Sequence, residues 1–406
     1  MKKLASTALA ILIALTPLSF SFANNKENAD ANQLNISSKS AILMDVGSGQ
    51  ILYEKDAHKK LPPASVTKVM TMLLIVEALD SGKIKLDDEV QVSETASSMG
   101  GSQIFLEPGE TQKVDTLLKG IAVASANDAC VAMAEHLAGT VEGFVDRMNA
   151  KAKELNMNDT HFANTNGLPV ANHYTSAHDI ALMSRELLKH EMISKYLTTW
   201  MDKVVVGKKQ VTVGLANTNK LIKHYQGATG VKTGFTQEAK YCLSASAKRG
   251  NTHLVAATLG AETSPERFND ASSLLNYGFA NYESVKLCSK GDNIATLTLD
   301  KADENKVKLV AKEDLNALIK KGSSKEFEKK IEIVKNPKMP IKKGTVLGKI
   351  KICKDKKVIG EVELINTKDI NKASYLQMLQ RIIANMQSII ISLNIIILQK
   401  HIIIIQ

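Results

Sequence analysis

The sequence predicts an α+β protein, in which a sheet covered by helices is followed by a small all-β domain and a C-terminal amphipathic helix. Helix-length apolar runs mixed with strand-like segments extend to about residue 282, and shorter Lys-rich alternating runs follow. The 406 residues suffice for two domains with separate cores. We place the first domain at 36–282, the second at 283–368 and the terminal segment at 369–406.

The first domain is predicted to begin with a hairpin, in which Ser40 to Asp45 and Gln50 to Glu54 flank a Gly-containing turn. The Pro62-Pro63 pair then precedes the apolar run Val66 to Leu79, whose length favours a buried helix. Further helices are predicted at Lys113 to Ala122, Asn127 to Leu137, Val141 to Leu155, Ala177 to Lys189 and Pro265 to Phe279. Strands are predicted at Lys203 to Val206, Gln210 to Val213, Ala239 to Ala247 and Thr252 to Gly260.

The second domain is predicted from short alternating runs separated by turn residues. These runs are Asn293 to Leu299, Val307 to Ala311, Lys330 to Val334, Gly344 to Lys351 and Lys357 to Leu364. None of them carries a group of residues that suggests catalysis.

The N-terminus has the layout of a secretory signal peptide. Lys2 and Lys3 precede the apolar stretch Leu4 to Leu15, and small residues end at Ala23. We therefore predict a signal peptide at 1–23, a polar linker at 24–35 and an exported protein at the outer face of the membrane or in the wall. An uncleaved anchor is the alternative, but Pro17 interrupts a span that is already short.

The C-terminus predicts a membrane-surface helix. Between Ile382 and Gln399 no residue is charged, and isoleucines fall on one helical face while Asn, Gln and Ser fall on the other. Eighteen residues extend roughly 27 Å, so a helix lying in the interface is favoured over one that spans the bilayer. Isoleucine is a mediocre helix former, and Ile402 to Ile405 could instead form an aggregation-prone strand.

Composition excludes several classes of function. The net charge is +10, but aromatic residues make up only 4%, which argues against a nucleic-acid surface built on base stacking. Two explanations of this charge stay open: the Lys-rich domain is attracted to anionic wall polymers and lipids, or its lysines are simply solvated.

The four cysteines form no C-x-x-C pair, and His173 and His178 have no third ligand nearby, so we expect no metal and no cofactor. A Cys288 to Cys353 bridge remains open.

One motif could supply a nucleophile and its base. In Ser65-Val-Thr-Lys68, a separation of three residues on a helix puts both side chains on one face. A serine hydroxyl needs a neighbouring base, and a lysine serves as one only if burial or another cation lowers its pKa. A serine at a helix start is more often an N-cap, so this motif alone is weak.

Two further strings, Ser125-Ala-Asn127 and Lys232-Thr-Gly234, are also ordinary when taken alone, the first as an N-cap and the second as a strand edge with a turn. Together the three strings occur in the order and rough spacing of serine acyl-transferases that recognise penicillin. Lys232 would place a second cation near Lys68 and favour its neutral form.

With these three motifs, the sequence resembles the exported serine-type D-alanyl-D-alanine carboxypeptidases, which are the low-molecular-mass penicillin-binding proteins of peptidase family S11. The resemblance covers about Ser38 to Tyr282 and continues more weakly beyond. It is carried by blocks at Leu43-Met-Asp45, Pro62 to Lys68, Ser125-Ala-Asn-Asp128, Asn164 to Pro169, His173 to Asp179 and Gly230 to Thr236. It implies an antiparallel sheet of the β-lactamase and transpeptidase type.

The resemblance also implies roles for individual residues. Ser65 would be the acylated nucleophile, Lys68 its base, and Ser125 and Asn127 the second motif. The third motif would comprise Lys232, Thr233 and Gly234. The backbone N–H groups of Ser65 and Phe235, which is His in many relatives, would bind the oxyanion. Arg267 would help to bind the terminal carboxylate of the substrate, and a solvated Arg at a helix start is the alternative interpretation. The expected substrates are peptidoglycan stem peptides, with β-lactams as covalent inhibitors.

Two alternatives remain open. A class A-like β-lactamase would need a glutamate that activates the deacylating water, and the nearest candidate is Glu154. A wall-binding or β-lactam-binding module without useful turnover is the second alternative, although all the catalytic residues are present.

Overall fold

The computed structural model describes residues 34–354, 357–384 and 386–387. The predicted signal peptide, most of the predicted linker and the Ile-rich tail beyond residue 387 lie outside these ranges.

A five-stranded antiparallel sheet forms the centre of the first domain, with strand order β2-β1-β9-β8-β7. Its strands are β1 (Ser40–Asp45), β2 (Ile51–Lys55), β7 (Ala228–Thr236), β8 (Lys240–Arg249) and β9 (Thr252–Ala261). The prediction of an α+β fold with a helix-covered sheet is confirmed. The strand β7 was not predicted, because its glycines, Gly230 and Gly234, interrupt the apolar alternation that marks a strand.

Helices cover both faces of this sheet. The longer ones are α1 (Lys68–Asp80), α3 (Val114–Lys119), α4 (Asn127–Ala138), α5 (Val141–Glu154), α6 (Ala177–Leu187) and α9 (Ser264–Asn281). The short ones are α2 (Glu94–Ser97), α7 (Ser194–Leu197) and α8 (Leu221–His224). Two small antiparallel pairs complete the domain: β3 (Glu89–Gln91) with β4 (Thr111–Lys113), and β5 (Met201–Val206) with β6 (Val211–Ala216).

The strand β1 separates two hydrophobic cores. Its residues point alternately to opposite faces, so that Ile42 and Met44 join the core under α1, α4 and α6, whereas Ala41 and Leu43 join the core under α9. Helix α1 is apolar around most of its circumference and is buried at nearly every position, as the long run from Val66 predicts.

The second domain is all-β. Its strands are β10 (Tyr282–Cys288), β11 (Asn293–Thr298), β12 (Lys306–Ala311), β13 (Leu315–Lys320), β14 (Glu328–Ile333), β15 (Val346–Lys354) and β16 (Lys357–Asn366). β10 pairs with β13, and the others form a sheet in the order β11-β12-β16-β15-β14. The pair β10 and β13 was missed, and it is the part that contacts the first domain: Leu318 of β13 belongs to the core under α9, and Ser284 N–H donates to Thr252 Oγ1 at 2.8 Å.

All four cysteines are buried free thiols, so the bridge between Cys288 and Cys353 that the sequence left open is not formed.

After β16, residues 375–384 form a helix at the start of the segment predicted to be amphipathic. Arg381 fixes it to the β-domain, since its guanidinium donates to the carbonyls of Asp300 (3.2 Å) and Ala302 (2.7 Å) and also to that of Asp303. Large apolar side chains on this helix are exposed, among them Leu376, Leu379, Ile382 and Ile383. Within the described ranges, no helix is long and apolar enough to cross a bilayer.

Candidate active site

Ser65 and Lys68 lie in direct contact where the chain enters α1. Ser65 is on a 3₁₀ turn, Ala64–Thr67, and Lys68 is the first residue of the helix. Lys68 Nζ donates to Ser65 Oγ at 2.9 Å and to the carbonyl of Asn166 at 2.7 Å. The predicted nucleophile and base are therefore within hydrogen-bond reach, as proton transfer between them requires.

Burial prepares Lys68 to act as a base. Its side chain is fully buried, and this desolvation lowers its pKa from 10.5 to about 8, against the opposing effect of Cys130 and Asp128. Lys232 is buried too, and its pKa lies well below the ordinary value because of burial first and the charge of Lys68 second. Burial, one of the two causes considered from the sequence, is thus the main reason why Lys68 can lose its proton.

The second predicted motif lies at the start of α4. Ser125 follows a π-helical turn, is almost fully buried and has a left-handed φ of 64°. Asn127 is hydrogen-bonded to an earlier loop of the chain. Its backbone N–H donates to Ser102 O at 2.7 Å, and its Nδ2 donates to Gly100 O at 2.6 Å. Asn127 Oδ1 is buried and has no hydrogen-bond partner among the described residues, so it is free to accept a bond from a lysine or a ligand.

Asp128 holds this loop in place, although no role was predicted for it. Its buried carboxylate accepts from the backbone N–H groups of Ile104 and Leu106, both at 3.1 Å, and of Ala129 at 2.9 Å. The loop lies against the Asn127 side chain, since a Cβ at Gly101 would be 2.8 Å from Asn127 Nδ2. Asp128 therefore fixes the position of Asn127 through the loop.

The third predicted motif lies on β7, directly beside the turn that carries Ser65. A Cβ at Gly234 would lie 2.8 Å from Pro63 O and 3.1 Å from Ser65 N, so only glycine permits this approach. Thr233 Oγ1 is 2.6 Å from Thr218 Oγ1, a contact that sequence reasoning missed because Thr218 belongs to no recognisable string. Lys232 Nζ donates to the carbonyl of Thr233 at 3.1 Å.

Phe235 and Arg267 flank the end of β7. The Phe235 side chain is 45% exposed and packs on Tyr241, with ring centroids 4.5 Å apart. Arg267 is buried, and its Nη1 donates to the carbonyls of Gly234 (2.9 Å) and Cys242 (3.3 Å). These bonds connect Arg267 to β7 and β8, so the alternative interpretation of Arg267 as a solvated residue is not supported. Binding of a substrate carboxylate by Arg267 stays a prediction.

Comparison with known proteins agrees with this arrangement. The family model described as D-alanyl-D-alanine carboxypeptidase, peptidase S11, matches residues 25–263, and the model described as penicillin-binding protein 5, C-terminal domain, matches residues 282–372. The chain belongs to the D-alanyl-D-alanine carboxypeptidase family. The resemblance stated from the sequence motifs is confirmed.

Individual relatives of this carboxypeptidase match over most of their length. D-alanyl-D-alanine carboxypeptidase DacF of Bacillus subtilis is 44% identical over 386 residues, which are 95% of this chain and 99% of that protein. DacA of Escherichia coli K12 is 32% identical, over 84% of this chain and 85% of the relative. The crystal structure of penicillin binding protein 5 from Haemophilus influenzae has a TM-score of 0.65 at 33% identity, covering 83% of this chain and 98% of the other.

The β-lactamase alternative gains no support from the carboxypeptidase structure. Glu154, the candidate glutamate for a β-lactamase, is at the exposed end of α5 and pairs with Lys151 Nζ at 2.8 Å. Among the residues that the structure describes, no group of three or more His, Cys, Asp or Glu side chains is placed to hold a metal ion.

Proposed function

We propose that this carboxypeptidase removes the terminal D-alanine of peptidoglycan stem peptides through an acyl-enzyme on Ser65. The observation that carries the proposal is the 2.9 Å contact between Ser65 Oγ and a buried lysine whose pKa is about 8. Neutral Lys68 takes the Ser65 proton as Oγ attacks the carbonyl carbon of the penultimate D-alanine. The proton then goes to the leaving nitrogen, D-alanine departs, and water hydrolyses the ester.

The surrounding groups fit the charges that develop in this reaction. The backbone N–H groups of Ser65 and Phe235 are proposed to bind the oxyanion, because Gly234 brings β7 against the Ser65 turn. Lys232 and Thr233 would bind the terminal carboxylate of the substrate. An anion beside Lys232 favours the charged form of this lysine. A bound substrate carboxylate would therefore offset the effect of burial, which lowers the pKa of Lys232.

Ser125 and Asn127 complete the proposed mechanism. The Ser125 hydroxyl would pass the proton towards the leaving nitrogen, and the unpaired Oδ1 of Asn127 would accept a hydrogen bond at the cleft. β-Lactams would acylate Ser65 by the same attack, since their strained amide and carboxylate resemble the end of the stem peptide.

Acylation is expected to rise with pH, because only neutral Lys68 can accept the proton. At pH 7 a group of pKa about 8 is neutral in about a tenth of molecules. We expect the acylation rate at saturating benzylpenicillin to rise with pH through a midpoint of about 8.

Stopped-flow acylation between pH 5 and 10 measures this midpoint, and release of D-alanine from diacetyl-Lys-D-Ala-D-Ala establishes turnover. A midpoint near 10.5 would contradict a base prepared by burial. Acylation without release of D-alanine would favour the binding module over the enzyme.

We also infer an exported enzyme with the signal peptide at 1–23, a catalytic domain at 36–282, a β-domain at 283–368 and a membrane-surface segment from 369. Support for the last comes from the exposed apolar side chains of the helix at 375–384, which Arg381 fixes to the β-domain. An amphipathic helix of this kind binds at the boundary between head groups and acyl chains.

Deleting residues 378–406 is expected to abolish binding to vesicles while leaving acylation by penicillin unchanged. The double substitution of Leu379→Glu and Ile383→Glu should weaken binding strongly, because each places a charge on the apolar face. Val358→Glu, at an exposed apolar position of β16, is the matched control. Sedimentation with phosphatidylglycerol vesicles measures the effect, and undiminished binding of the deletion variant would refute the proposed anchor.

A further inference from the structure

His173 lies beside the active site and belongs to none of the three motifs. Its imidazole is 7% exposed and touches two separate segments. Nε2 is 2.7 Å from Thr67 Oγ1, in the turn that carries Ser65, and Nδ1 accepts from the backbone N–H of Ala163 at 3.0 Å. The ring therefore connects the turn 64–67 with the segment 163–167.

The hydrogen bonds determine the protonation state of this ring. The Ala163 N–H can only donate, so Nδ1 must carry the lone pair and Nε2 the proton. Nε2–H then donates to Thr67 Oγ1, which in turn donates to the carbonyl of Ala64 at 2.8 Å. Burial lowers the pKa of His173 to about 4, with a smaller contribution from His161, so the neutral ring persists at physiological pH.

Both connected segments control the contact between Ser65 and Lys68. Thr67 lies between these two residues in the chain, and Ala64 before them has a left-handed φ of 48°. On the other side, the carbonyl of Asn166 accepts from Lys68 at 2.7 Å, and the carbonyl of Thr165 accepts from Thr71 Oγ1 at 2.6 Å. A shift of either segment would change the geometry at Lys68 Nζ.

We infer that His173 is a positioning residue, which as a neutral imidazole keeps the nucleophile turn and the segment 163–167 in the arrangement that brings Lys68 Nζ to Ser65 Oγ. This inference rests on the proposed acyl-enzyme function. The hydrogen bonds of His173 go to Thr67 and Ala163 and not to Ser65 or Lys68, so its effect on the reacting atoms is indirect.

Two substitutions separate the two hydrogen bonds. In His173→Gln the side-chain amide N–H reaches the place of Nε2 and keeps the donor to Thr67; in His173→Asn the side-chain oxygen reaches the place of Nδ1 and keeps only the acceptor for Ala163. We expect acylation by benzylpenicillin to be slowed up to about threefold in Gln, which loses only the bond to Ala163, and about 10–100-fold in Asn, which loses the bond to the turn that carries Ser65.

Thr67→Val removes the hydroxyl that receives the bond and is expected to slow acylation as much as His173→Asn. The double variant of His173→Asn with Thr67→Val should be little slower than either single variant, because both break one chain of bonds. Thr67→Val also keeps the inference testable if the Asn variant does not fold.

A pH profile distinguishes positioning from general loss of stability. Lys68 faces Asp128, Cys130 and Lys232, which are retained in every variant. Losing the bond to Thr67 loosens the turn that carries Ser65 and admits water to Lys68, so the acylation midpoint should move above that of wild type in His173→Asn. Phe144→Leu, in the buried core away from this segment, is the control: it should lower Tm without moving the midpoint.

The inference is overturned if wild type is acylated normally and His173→Asn and Thr67→Val share both its rate and its pH midpoint, or if the Asn variant outperforms the Gln variant. Failure of the proposed function is a different result, in which wild type itself neither releases D-alanine nor is acylated.

Discussion

Replacing Lys68 by arginine is expected to slow acylation of Ser65 by about 10³- to 10⁴-fold, although the side chain keeps its positive charge. The wild-type lysine is fully buried, with a pKa of about 8, so that a neutral fraction is present at physiological pH. Arginine stays protonated in proteins and has no lone pair to accept the serine proton. The second-order rate constant for acylation by benzylpenicillin measures the loss.

The matched control is Lys119→Arg, a lysine that pairs with Asp202 at 2.9 Å and lies outside the site. This variant should acylate at the wild-type rate. If Lys68→Arg retained more than a tenth of the wild-type rate, charge rather than proton transfer would be the contribution of this residue.

Replacing Gly167 by alanine is expected to destabilise the protein by about 2–5 kcal/mol and to abolish acylation. Gly167 has a φ of 87°, and a Cβ there would lie 1.8 Å from the carbonyl oxygen of Ala64. Because that atom belongs to backbone, relief requires movement of the turn that carries Ser65. Urea denaturation and penicillin acylation measure the two effects.

Gly82→Ala provides the control for backbone strain alone. Gly82 has a φ of 70°, but nothing lies within 4 Å of a Cβ at that position. This variant should cost only about 1–2 kcal/mol and leave acylation unchanged. Equal effects of the two substitutions would show that the contact between Gly167 and the nucleophile turn has no special importance.

The sequence predicted those parts of the site that depend on local geometry. Ser65 and Lys68 are three residues apart, and helical spacing alone brings their side chains together. The carbonyl of Asn166, which also binds Lys68, is 98 residues away in the chain, so no spacing rule could have found it. The same holds for Thr218, which contacts Thr233, and for His173, which was considered as a metal ligand and as part of a family block but was assigned no role in the site.

The fold follows a similar division. Segments with strong periodicity, such as Val141–Glu154, were predicted to within a residue or two. Strands with little alternation were missed: β7 is rich in glycine, and β13 packs on both domains, with Leu318 in the core under α9 and Leu315 in the core of the β-domain. Their conformation is determined by tertiary packing, which a local pattern does not contain.

The central claim is that Ser65, activated by Lys68, is the acylated nucleophile. Intact-protein mass spectrometry after benzylpenicillin treatment, followed by peptide mapping, tests it most directly. We expect one penicilloyl group per chain, located on Ser65 and absent from Ser65→Ala. A label on any other residue, or equal labelling of Ser65→Ala, would contradict the account.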